Sequence, residues 1–304
     1  MNRRTYVAAV AGAIMVGAGC LAYDTDDNSV EGSEDVTVAE WSAGDLEFGL
    51  PPFQDAEELE REYAGLFEWL EDGFEGVEVM GVPTTDYSSV IESVANGHTE
   101  LANLSPLIYV MAADEGIHPL AVNELHGESS YHSYIATRAE TGIEELADLE
   151  GATVAMVDPL STSGGLFPLH MLEEAGFDTG GVDGEPTGFE IEWTLSGHGA
   201  ALTALEEGHV DAAAYGDFEH PEDDDEIVRI AESPPIPLAA AVATPDTPES
   251  VRDALTDRLY ETPEESLEEH MVTGFSEYDP ADYEIVREIA DEFGLSVSDL
   301  DAEK

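Results

Sequence analysis

From residue 46 to residue 243, short apolar runs alternate with longer stretches whose apolar residues recur at helical spacing. Strand, helix, strand in succession is most simply satisfied by a parallel sheet with helices on its faces. The alternation confines the chain to an α/β architecture. Strands are expected at 46–50, 77–82, 101–104 and 120–125, and Asp55 is placed to cap the first helix between them. The helices bury Leu59, Tyr63, Leu66, Phe67 and Leu70, then Val90, Ile91 and Val94, then Tyr109 and Val110. A second series follows, with strands at 131–138, 152–157, 189–195, 210–215, 227–231 and 239–243 and a helix at 200–207. The tail from Pro248 reads as helical, with Leu255, Leu259, Ile285, Ile289 and Phe293 inward. One echo links the halves: Asn96-Gly97-His98-Thr99-Glu100-Leu101-Ala102 and Glu207-Gly208-His209-Val210-Asp211-Ala212-Ala213 both close a helix with Gly-His and enter a strand through an acid. Two similar α/β lobes with a ligand cleft between them are implied.

The junction Asp158-Pro159-Leu160-Ser161-Thr162-Ser163-Gly164-Gly165-Leu166-Phe167-Pro168 follows an apolar strand and opens a helix. The first amides of a helix have no partner within it, and a phosphate-like group satisfies them well. Consecutive hydroxyl residues followed by glycines that let a ligand approach the backbone fit that use. They equally fit a plain helix start with Ser161 or Ser163 as N-cap.

Charge narrows the choice of partner. Asp and Glu number 69 against 9 Lys and Arg, a formal net charge of -60, which excludes nucleic acid. The acids are interspersed with an ordinary apolar pattern, as in a protein kept soluble in concentrated salt, and an extreme halophile is expected. At about 1 M salt the Debye length is about 3 Å, so recognition of a small anion rests on short-range contacts.

Residues 1–20 read as an export signal, with Arg3-Arg4 suggesting the twin-arginine route, an apolar run too short to span a membrane, and small residues leading into Cys20. That approach is similar to a lipobox, and Cys20 is the only cysteine, so no intrachain disulfide forms and the thiol is best read as a lipid attachment point. Residues 21–45, acidic and rich in Ser and Gly, are expected as a flexible tether, with the folded part on the outer face of the cytoplasmic membrane. There is no Gly-x4-Gly-Lys-Ser/Thr, His-Glu-x-x-His or Gly-x-Ser-x-Gly motif, so ATP hydrolysis belongs to another subunit, and neither a metal site nor a cofactor is expected.

The series Thr85-Asp86-Tyr87, Leu104-Ser105-Pro106-Leu107-Ile108-Tyr109, Tyr131-His132-Ser133, Val157-Asp158-Pro159-Leu160-Ser161-Thr162-Ser163-Gly164, Gly197-His198 and Ser233-Pro234-Pro235-Ile236-Pro237 resembles the phosphonate-, phosphite- and phosphate-binding proteins of ABC importers. The resemblance implies a two-lobed periplasmic-binding-protein fold of type II that closes on its ligand, with 46–137 and 245–304 as one lobe and 138–244 as the other. It implies that Ser161, Thr162 and Ser163 hold phosphorus-bound oxygens, that Tyr87 and Tyr131 donate phenolic hydrogen bonds, and that His198 completes the site. Ser105 is a weaker candidate, because capping already accounts for it. Members that take aminoalkyl phosphonates need a carboxylate facing the ammonium; here Leu238-Ala239-Ala240 is apolar, although Asp217 or Glu219 could substitute. Phosphite, phosphate or methylphosphonate is therefore favoured, delivered to a membrane permease served by a separate ATPase. The other readings are a binding protein or sensor lobe for a different small oxyanion or metabolite, and, more remotely, a serine hydrolase using Ser161 or Ser163 with His198 and Asp158 or Asp211.

Overall fold

The computed structural model describes residues 36–50, 56–84, 87–182, 184–194, 197–221 and 225–295. The export segment, Cys20, the tether as far as residue 35 and Asp55 lie outside them. The folded part starts earlier than residue 46. Thr37 and Glu40 form a reciprocal capping box that starts α1 (Val38–Trp41), and Val38 is buried in the core beside Leu46 and Val251.

The first sheet takes β1 (Asp45–Leu50), β2 (Glu78–Pro83), β3 (Leu101–Leu104) and β4 (His118–Glu124). Between them run α2 (Ala56–Gly73), α3 (Tyr87–Ala95) and α4 (Pro106–Ala112). The chain then passes through β5 (Ser130–Tyr131) into the second sheet, formed by β6 (Ser133–Arg138), β7 (Thr153–Met156), β8 (Glu190–Trp193), β9 (Ala212–Gly216) and β10 (Ile227–Glu232). Helices α5 (Phe167–Glu174) and α6 (His198–Glu206) belong to this part. It returns through β11 (Ile236–Pro237) to β12 (Ala240–Ala243), α7 (Glu249–Tyr260), β13 (Gly274–Ser276) and α8 (Glu284–Glu292).

The sheet orders are β13-β4-β12-β3-β1-β2 and β10-β6-β9-β7-β8. In each, a central strand pairs in parallel with the next two strands in sequence: β1 with β2 and β3, β7 with β8 and β9. Beside that triplet lies a strand that has just crossed from, or is about to enter, the other sheet, and it runs antiparallel: β12 against β3, β6 against β9. The sheets are thus mixed rather than purely parallel, because a strand arriving from the opposite lobe enters in the reverse direction.

Sheet membership also puts the crossings upstream of residues 138 and 244. Both crossing segments contribute to a two-stranded ribbon in which Tyr131 pairs with Ile236 and Ser130 with Pro237. The expected strand at 131–138 is accordingly split at His132, where the chain leaves this ribbon for the second sheet. The tail departs from an all-helical reading at β13, which pairs antiparallel with β4 as the edge of the first sheet.

One core lies between the first sheet and α2 and α7, around Phe48, Leu66, Leu70, Leu120, Leu255 and Leu259. The core on the other face, with Val90, Leu104, Leu107 and Ile289, continues into Leu166 and Phe167 of the second lobe. That continuity brings the start of α4 against the 161–166 turn. Burial of each such side chain stabilises the fold by about 1.5–3 kcal/mol.

Candidate functional site

Ser161 caps the helix start after β7: the Gly164 amide donates to its Oγ (3.1 Å). The first turn is widened, since the Leu166 amide reaches back five residues to the Ser161 carbonyl (2.9 Å) while the Gly165 amide shares the same acceptor (3.0 Å). The Val157 amide donates to the Gly164 carbonyl (2.9 Å), folding the end of the strand over the turn. A Cβ on Gly164 would sit 2.3 Å from Val157 Cγ2, and one on Gly165 would sit 2.1 Å from the Asp158 carbonyl oxygen. The glycines admit the chain's own strand end. The cap reading therefore holds for Ser161, and Thr162 and Ser163 are left to other uses.

Thr162 Oγ1 accepts from the Leu107 amide (3.0 Å), so a residue of the second lobe caps α4 of the first. Ser105 stands at the N-cap position of α4 but makes no side-chain cap, which overturns capping as the account of that residue. Burial pushes the pKa of the Tyr131 phenol up, and interaction with the Ser163 and Thr162 side chains partly pulls it back. Ser133 Oγ donates to the Ser163 carbonyl (2.6 Å). Ser161, Thr162 and Ser163 are at most 4% exposed, so the cluster is enclosed.

His198 begins α6, and its Nδ1 accepts from the Gly216 amide (3.0 Å), which leaves Nε2–H as the free donor. Burial lowers its pKa to about 4, so the ring is neutral at physiological pH. Phe218 touches both His198 and Tyr131, with ring centroids 5.0 and 5.8 Å apart. The segment after β9 thus joins the histidine to the hydroxyl cluster. Tyr87 opens α3, the helix that follows β2 as α6 follows β8, so Tyr87 and His198 hold equivalent positions in the two lobes. The Tyr87 side chain lies outside the described part.

Asp217 serves the crossing ribbon. Its Oδ2 accepts from the His132 amide (3.0 Å), and its own amide donates to the His132 carbonyl (2.9 Å). Ser233, first residue of the Ser-Pro-Pro-Ile-Pro segment, accepts the Ser133 amide on Oγ (2.9 Å) and donates its own amide to the Ser133 carbonyl (2.9 Å). Burial raises the pKa of both Asp217 and Glu219. Phe218 carries no motif of its own and is found only through these contacts, while His132 and Ser133, although part of the Tyr131-His132-Ser133 series, gain their roles from them.

Among the described residues the cluster holds no Lys or Arg. Arg138 donates to the Leu205 and Val210 carbonyls (2.6 and 2.8 Å), Arg252 approaches His118 (3.0 Å), and Arg258 bonds the Trp69 carbonyl. The donors gathered here are hydroxyl, amide and neutral imidazole groups. The His198 Nδ1 position that an orienting acid would take in a Ser-His-Asp relay is occupied by the Gly216 amide, while Asp158 accepts the Leu160 amide (2.7 Å) and Asp211 the Thr153 amide (2.9 Å). Among the described residues no group of three or more His, Cys, Asp and Glu could hold a metal ion, and no helix is long and apolar enough to cross a membrane.

A family model described as the periplasmic substrate-binding protein of phosphonate ABC transporters matches residues 48–283. The phosphate-import protein PhnD of Mycolicibacterium smegmatis is 30% identical over 204 residues, which cover 66% of this chain and 63% of that protein, just under two thirds of its length. Among solved structures, PhnD1 from Prochlorococcus marinus in complex with methylphosphonate aligns with a TM-score of 0.70 at 17% identity, over 82% of this chain and 98% of that one. The binding-protein component of an ABC phosphonate transporter from Pseudomonas aeruginosa aligns with a TM-score of 0.68 at 18% identity, over 82% and 86%. These likenesses assign the two-lobed architecture to the type II periplasmic-binding-protein fold.

Proposed function

The chain belongs to the family of periplasmic substrate-binding proteins of phosphonate ABC transporters, and from that premise we propose that it is the extracytoplasmic binding protein of an importer for phosphate, phosphite or a small phosphonate. It binds and delivers its ligand without transforming it, passing it to a permease driven by a separate ATPase. The observation that carries this reading is the enclosed cluster of Tyr131, Thr162 and Ser163 hydroxyl groups at a helix start, joined through Phe218 to the neutral His198. Every polar group in it can donate to an oxygen of the ligand, and Ser161 does so while keeping its capping role. Because these groups are enclosed, the lobes must part to admit the ligand, and the crossing ribbon at Tyr131 and Ile236 is the place for that movement.

Tyr87, from the equivalent helix start of the other lobe, is the remaining proposed donor. Asp217 is bound to the His132 amide and Leu238 packs against apolar neighbours, which favours a ligand without an ammonium group. The relative from Mycolicibacterium smegmatis is named for phosphate import and the structure from Prochlorococcus marinus holds methylphosphonate, in line with this class. Export by the twin-arginine route, a lipid anchor on Cys20 and a life in concentrated salt complete the proposal, and release of a Cys20→Ser variant from membranes checks the anchor.

Replacing Ser161 and Ser163 together by Ala tests the site. Each hydrogen bond lost to a charged ligand weakens binding by about 1.5–3 kcal/mol. Removal of the Ser161 cap lowers stability by about 1 kcal/mol. Affinity for phosphorus oxyanions unchanged in a folded double variant would show that these hydroxyl groups serve only the helix.

A further inference from the structure

Ser105 is 8% exposed, and its Oγ is buried without a hydrogen-bond partner. Its position is the N-cap of α4, where a serine hydroxyl ordinarily accepts the amide of the second or third helical residue. That acceptor role is filled from outside: Thr162 Oγ1, arriving from the second lobe, takes the Leu107 amide. A buried hydroxyl left unpaired is costly and rare in folded proteins, and it calls for an explanation beyond local folding. The surroundings supply one. The amide two residues after Ser105 is bonded to Thr162 (3.0 Å), and Thr162 is itself one of the hydroxyl residues of the proposed oxyanion site. The Ser105 hydroxyl is thus two residues from the amide that Thr162 takes, with its proton uncommitted.

We propose that Ser105 is a further ligand-binding residue, a neutral donor to an oxygen of the phosphorus oxyanion, set free for that task because Thr162 caps α4 in its place. The assignment rests on the proposed function above. It adds a hydroxyl of the first lobe beside the proposed donor Tyr87, so that one ligand holds donors from both lobes together. It also gives Thr162 two linked tasks, holding α4 from across the cleft and standing beside the ligand.

The test is Ser105→Ala in the full-length chain, read as affinity for inorganic phosphate and methylphosphonate and as the thermal midpoint without ligand. Affinity is expected to fall about tenfold or more, while the ligand-free midpoint stays level or rises, because an unpaired hydroxyl has been removed and Thr162 still caps α4. A second variant, Thr162→Val, transfers the Leu107 amide to Ser105. Its ligand-free midpoint should fall further when Ser105→Ala is added, by more than the sum of the single changes. Unchanged affinity in Ser105→Ala, alongside normal binding by the unsubstituted protein, overturns this assignment alone. A lowered ligand-free midpoint in that variant also overturns it, since Ser105 would then be a working cap. Failure of the unsubstituted protein to bind any phosphorus oxyanion removes the proposed function and this assignment together.

Discussion

Burial holds the His198 pKa near 4 in the folded protein, against an ordinary value of 6.5. Between those values the unfolded chain takes up a proton that the fold refuses. The stability tied to this residue is therefore complete above about pH 6.5 and is lost as pH falls toward about 4. His270, whose Nδ1 accepts the Val272 amide (2.9 Å), acts with the same sign. Asp217 and Glu219, with raised values, act oppositely: they favour the fold as pH falls through their folded-state values. Comparing the unsubstituted protein with His198→Asn by denaturant unfolding across this range isolates the histidine. The variant should lose part of the acid-side decline, whereas an identical pH profile would mean that His198 is not held neutral by the fold. At this scale the candidates Ser161, Thr162 and Ser163 are legible in the sequence as hydroxyl residues concentrated at one helix start, and Tyr131 through the resemblance carried by Tyr131-His132-Ser133. Phe218 is not. A lone phenylalanine acquires a role only when segments far apart in sequence are brought together.

The 157–166 turn explains itself as an element. Its glycines sit where the end of β7 presses against the helix start, and a methyl group on Gly165 meets a backbone carbonyl that has no flexible end to give way. Gly165→Ala should destabilise the protein by about 3 kcal/mol or more, read as a lower denaturation midpoint, and retention of full stability would mean that the turn is less tightly folded than described.

The Gly-His echo likewise has a structural basis. Gly97 and Gly208 both adopt positive φ, at 64° and 73°, and the amides of His98 and His209 reach back to the Ser93 and Ala204 carbonyls. The acids that follow do the same work in each lobe: Glu100 accepts the Glu47 amide (2.8 Å) and Asp211 the Thr153 amide (2.9 Å), tying the third strand of each triplet to its central strand. Local patterning revealed those triplets, because apolar spacing distinguishes a helix from a strand without reference to the partner. Strand direction in β6, β10, β12 and β13 depends instead on where the chain changes lobe, a property of the whole path. The short edge strand Gly274–Ser276 carries too little pattern to show itself.

For the molecule as a whole, a net charge of -60 over 304 residues makes self-repulsion a large term that salt screens. The thermal midpoint should rise steadily from low to molar salt, and a flat profile would remove the halophilic reading. The same screening leaves the enclosed, cation-free cluster to act over contact distances alone, which is why its donors are expected to decide what binds. Titration calorimetry of the full-length protein in molar salt, with phosphate, phosphite, methylphosphonate and sulfate compared in turn, tests that expectation most directly. One phosphorus oxyanion bound per chain, in preference to sulfate, is the predicted result; preference for sulfate, or no binding of any phosphorus oxyanion, would contradict it.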